Sequence, residues 1–160
     1  MKHIPYSQAR KQPQEVLAAS SEFYAQINQR RSVRFFSDEP VAKEVIENLL
    51  KAAGTAPSGA NKQPWHFVAV QGDRREALGE LFAKALKLRN PTATDAELAK
   101  AQAAPLRAPL IVAGLVKPVE HPKVPRVEQV AAVACALHGM SLAAESQGFG
   151  AMWRTGWYAQ

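Results

Sequence analysis

The segment "VAAVACALHGMSLAAE", Val130 to Glu145, limits the fold more than any other stretch of this chain. It sits inside a run from Arg126 to Gln147 that the pattern predicts as a helix, apolar on nearly all sides and rich in small residues. A helix that is apolar all round must be buried all round. Two arrangements satisfy that demand: a central helix wrapped by the rest of the domain, or a helix shared between two subunits whose small residues let backbones approach. With 160 residues the chain is one domain by length and buries roughly two-thirds of its unfolded surface, so both remain open. Cys135 and His138 lie three apart on this helix and read either as a metal or redox pair or as a core histidine beside a core thiol. No third ligand is near in sequence, which favours packing.

The flanking signals predict an α+β domain. Residues 1–14 read as an extended polar arm, followed by a helix over Glu15–Gln29 with a rough apolar stripe of Val16, Leu17, Phe23 and Ile27. "SDEP" precedes a helix over Val41–Ala53, closed by Gly54. Trp65–Val70 alternates as a strand does, and Arg74–Leu88 and Thr94–Ala103 read as helices. Ala108–Val116, "APLIVAGLV", is a continuous apolar run suited to a buried central strand. Pro118–Pro125 holds three prolines and is a loop. No repeat or low-complexity linker interrupts the chain.

Composition excludes several function classes. A net charge of +6 is modest, and no face interleaves aromatic with basic residues, so an anionic small molecule fits better than nucleic acid. The single cysteine excludes an intramolecular disulfide and every multi-cysteine metal site. The start "MKHIPYSQARKQPQE" lacks the apolar core of a signal peptide, and no long window is free of charge. The expectation is a cytoplasmic protein without membrane contact or bound metal.

Polar chemistry concentrates in three boxes. "RRSVR" places Arg30, Arg31, Ser32 and Arg34 where the first helix runs out. Helix C-termini favour arginine in any case, so this box reads as structural or as a phosphate clamp, guanidinium forks and a hydroxyl matching phosphate oxygens. "APSGANKQPWHF" offers Pro57, Ser58, Gly59 and Asn61 in a turn more polar than a helix-to-strand joint needs. "QGFGAMWRTG" sets Trp153, Arg154 and Thr155 in a glycine-punctuated strand, where Trp153 reads equally as core. His66 follows Trp65, but strand alternation turns it to the opposite face, and a packing or hydrogen-bonding role is expected.

In type, order and spacing these boxes resemble the FMN-dependent nitroreductase superfamily, from about Phe23 to Gly156. Residues 1 to about 72 are similar to the iodotyrosine deiodinase branch, and later residues to minimal bacterial NAD(P)H nitroreductases. The resemblance implies a central mixed sheet flanked by helices. It also implies FMN held by Arg30, Arg31, Ser32 and Arg34 at phosphate, ribityl chain and pyrimidine edge. Pro57, Ser58 and Gly59 would line the isoalloxazine, Asn61 would add a polar contact, and Trp153, Arg154 and Thr155 would come from the back half. A homodimer is implied, with both flavins at its interface, as is NADH or NADPH as electron donor. The flavin carries the chemistry, so no side chain is expected to act as acid, base or nucleophile.

Two departures qualify this picture. The deiodinase branch grips its amino-acid substrate through a lid bearing Glu, Tyr and Lys, and here no Tyr occurs between Tyr24 and Tyr158. Nitroreductases and quinone reducers are therefore the expected activity class, ahead of a dehalogenase or a flavin carrier. Related chains also continue into a further helix, strand and partner-embracing tail, whereas this sequence stops at Gln160. Either it is partial, with a sheet edge left unpaired, or the protein works without those elements.

Overall fold

The computed structural model describes residues 8–156, so the first half of the expected N-terminal arm and the last four residues, Tyr158 among them, lie outside the described residues. Five helices and two strands follow in the order α1 (Pro13–Gln29), α2 (Lys43–Gly54), β1 (Trp65–Gln71), α3 (Arg74–Arg89), α4 (Asp95–Ala103), β2 (Leu110–Val116) and α5 (Arg126–Ser146). Single 3-10 turns, Gly59–Asn61 and Ala104–Arg107, precede β1 and β2. Helix ends fall where local chemistry puts them. α1 opens with Pro13 in its first turn, and the Glu15 carboxylate accepts from the Gln12 N–H at 2.9 Å. α4 opens with a reciprocal cap between Thr94 and Glu97.

The two strands pair antiparallel with Trp65 opposite Val116 and Gln71 opposite Leu110. Trp65, Phe67, Leu110 and Val112 point inward onto a core of Leu49 and Ala53 from α2 and Ala136, Met140 and Ala144 from α5. The α+β class is as expected, but the sheet is not the mixed one. Its parallel component is reduced to one bridge, Ser32 to Ala151, and the segment around Trp153 forms no strand. β2, expected to be fully buried, is half-buried along most of its length, because it has one strand neighbour and one covered face. His66 does lie on the face opposite Trp65, yet it is exposed there and packs no core.

α5 departs most from expectation. Its buried residues form one stripe, Gln129, Ala132, Val133, Ala136, Met140 and Ala144, spaced as a single helix face. Val127, Val130, Ala131, Cys135 and His138 are exposed on the others. Cys135 and His138 are thus not core residues. The helix packs mainly on α2, which covers one side, and among the described residues nothing comparable covers the rest. By length and composition alone α5 would also suffice to cross a bilayer, although every 18-residue window in it keeps a charged residue. The apolar stripe of α1 is likewise open: Val16, Leu17 and Phe23 are exposed, and only Ile27 tucks in against α5.

Candidate anion and flavin site

The chain leaving α1 carries the first box to the third. Ser32 bridges Ala151, and the Val33 N–H donates to the Ala151 carbonyl at 3.1 Å. Gly150 permits this approach, since a Cβ there would lie 2.6 Å from the Val33 side chain. Residues 147–151 reach this position because the Phe149 N–H turns back to the Ala144 carbonyl at 2.9 Å, closing the end of α5. Arg30, Ser32 and Arg34 therefore share a neighbourhood with Trp153, Arg154 and Thr155. All except half-buried Arg30 are exposed, so Trp153 is not core.

The structural reading of "RRSVR" holds at Arg31. The Arg31 guanidinium folds back to donate to the Asn28 and Arg30 carbonyls, satisfying acceptors that the end of α1 leaves open. Arg30 and Arg34 make no such cap. A further arginine joins them: Arg107, on the turn before β2, donates from Nη2 to the Arg34 carbonyl at 3.1 Å. That bond spans 73 residues, and the only sequence hint was a lone basic residue between Pro105 and Pro109. The result is a patch rich in planar cationic donors, suited to a phosphate group.

The second box is a turn held in an uncommon conformation. Ala60, Asn61 and Gln63 have φ of 48°, 51° and 48°. Asn visits this left-handed region readily, whereas Ala and Gln do so at a cost of about 1–3 kcal/mol each. Local bonds hold it there. Asn61 and Lys62 N–H groups donate to the Ser58 and Gly59 carbonyls at 3.0 and 3.1 Å. The Gln63 N–H donates to Ser58 Oγ at 3.0 Å, so this hydroxyl closes the turn while its own proton stays available to a ligand. Pro64 is fully buried, and its carbonyl accepts from the Lys117 N–H at 2.7 Å. Pro57 and Asn61 are exposed, and Ser58 and Gly59 half-buried.

The structure does not bring this turn to the arginines. Gly59 abuts Val124 and Glu128 at the start of α5, whereas Ile27, just before the arginine box, lies with Leu142, Ala143 and Ser146 near its end. At 1.5 Å per residue, positions 128 and 144 are about 24 Å apart along the helix. One chain thus carries two candidate half-sites at opposite ends of α5. One is rich in cations, and the other presents a hydroxyl, an amide and constrained backbone.

Comparison with known proteins supplies the context. A sequence model described as the Nitroreductase family matches residues 27–160. "Putative NAD(P)H nitroreductase YdjA" of Escherichia coli K12 is 37% identical over 130 residues, covering 81% of this chain and 69% of that protein. Iodotyrosine deiodinase 1 of Mus musculus is 58% identical over 83 residues, 51% of this chain and 29% of the deiodinase, so this chain spans under a third of that relative. Among solved structures, a nitroreductase with bound FMN from Bacteroides fragilis superposes with a TM-score of 0.61 at 28% identity, covering 79% of this chain and 66% of that one. Sequence and fold agree: this chain belongs to the Nitroreductase family.

Proposed function

We propose that the protein is an FMN-dependent oxidoreductase that uses NADH or NADPH to reduce nitroaromatics, quinones or similar electron-poor acceptors in two separate half-reactions. The observation that carries this reading is the bridge between Ser32 and Ala151, which gathers guanidinium groups from both ends of the chain. The donor set fits FMN. Arg30, Arg34, Arg107 and Ser32 match a dianionic phosphate, and Ser58 and Asn61 offer hydrogen bonds suited to a planar heterocycle edge. FMN, when bound, supplies the two-electron exchange between nicotinamide and acceptor. The chain binds and orients: fixed guanidinium groups favour added negative charge, and the preorganised turn holds its donors without reorganisation.

The separation of the half-sites supports a homodimer in which the turn of one chain meets the arginines of the other. The exposed apolar faces of α5 and α1 fit the same assembly. A visible spectrum of the purified protein tests flavin binding; a colourless protein that takes up no added FMN would defeat the proposal. NAD(P)H consumption with a quinone then separates an enzyme from a carrier. Substrate class is tested by offering a halotyrosine and a nitroaromatic to the reduced protein and following flavin reoxidation anaerobically. We expect reoxidation by the nitroaromatic. The helices of residues 73–107, where a lid would lie, present Glu76, Glu80, Lys84 and Lys87 as an exposed charged face without a tyrosine. Fast reoxidation by the halotyrosine alone would instead make this a dehalogenase.

A further inference from the structure

Gln129 is the one buried polar side chain among the described residues, at 3% exposure in the first turns of α5. A core position on an otherwise apolar stripe would take a leucine at lower desolvation cost, so the amide needs a reason. It uses every donor and its acceptor on one loop. Oε1 accepts from the Val119 N–H at 2.8 Å, and Nε2 donates to the Val119 and Val124 carbonyls at 2.8 and 3.2 Å. The Pro-rich loop is thereby tied to α5 at two points, and the His121 ring and carbonyl accept from the Lys123 and Val124 N–H groups at 3.2 Å each. Val124, 5% exposed, is the residue this loop delivers. Its methyl groups lie where a Cβ on Gly59 would be, at 2.9 and 3.1 Å.

We propose that Gln129 is a positioning residue for the ligand-facing turn, acting through Val124. The amide fixes the loop, the loop seats Val124 against Gly59, and this contact keeps Ala60, Asn61 and Gln63 in their left-handed conformation. The inference rests on the flavin reading only for what the turn positions; the brace itself is a property of the free chain. It accounts for the glycine at 59, where any side chain would displace Val124. It also explains how Ala60 and Gln63 hold positive φ on an exposed turn.

The test is amide hydrogen exchange on the flavin-free full chain, parent against Gln129→Leu, with FMN titration of both. We expect exchange at residues 58–63 to rise at least tenfold in the variant while amides in the α2–α5 core keep their protection, and FMN affinity to fall about tenfold. Exchange that is unchanged at the turn, or that rises there only in step with the core, overturns the proposal. Should Gln129→Leu not fold, Val124→Ala leaves the amide's bonds intact and breaks the same link; it is expected to loosen the turn alone. A parent protein that binds no FMN would sink the flavin reading, and the exchange data would still decide the brace.

Discussion

Arg30 and Arg31 stand side by side and do different work. Arg31 spends its guanidinium on the last carbonyls of α1, whereas Arg30 is free of that duty. Replacing Arg30 with Ala is expected to weaken FMN binding by roughly 1.5–3 kcal/mol, the range for hydrogen bonds to charged groups. Arg31→Ala should cost less affinity and instead fray the end of α1, a loss visible by circular dichroism. Flavin titration of both variants checks the pair, and equal losses would contradict the division. Arg107→Ala should lower affinity by about 1 kcal/mol, being an exposed charge, and flatten its dependence on salt. The sequence told that a phosphate clamp or a helix cap sits at residues 30–34, because both need guanidinium groups there. It could not distribute the roles, which depend on where a side chain turns after the helix ends. Nor could it reveal Arg107, whose relevance arises only from tertiary proximity to Arg34.

Helix boundaries were legible to within about two residues, since most ends are marked by proline, glycine or a capping pair acting over one turn. Elements whose state depends on distant partners were not. Residues 148–156 read as a glycine-punctuated strand, yet their pairing stops after one bridge. The uniform apolarity of β2 suggested burial on both faces, but apolarity cannot tell which neighbours exist. One element carries its own pH sensitivity. Hydrogen bonds from the Thr94 N–H and hydroxyl hold the Glu97 carboxyl below its usual range. A carboxylate with a depressed folded pKa stabilises the fold above its unfolded pKa, about 4.3, and that contribution is lost as pH falls through the lower folded value. The start of α4 should therefore loosen on acidification below about pH 4. Thr94→Ala should move Glu97 only part of the way back to ordinary titration, followed by carboxyl NMR, because the N–H of residue 94 still donates to it. It should also cost the protein about 1 kcal/mol at neutral pH through the lost N-cap.

At the scale of the molecule, α5 has one buried side and one exposed side. Two substitutions on it separate folding from assembly. Ala136 is 0% exposed within the single chain, so Ala136→Glu buries an unpaired charge and should prevent folding, as read by chemical denaturation. Ala131 lies on the exposed face, and Ala131→Glu should give a folded monomer with weakened flavin binding. Sedimentation of the parent at micromolar concentration is expected to show a dimer. A parent that sediments as a monomer yet binds FMN would mean that one chain completes the site. The bridge from Ser32 to Ala151 has a temporal consequence as well. A ribosome releases Arg30 early and Ala151 late, with α2, the sheet and α5 in between. Until residues near 151 emerge, the arginines have no strand partner, and the nascent chain is expected to be a poor trap for the flavins and nucleotides around it. Any cofactor capture would thereby wait until residues near 151 have emerged, when α2, the sheet and α5 already exist.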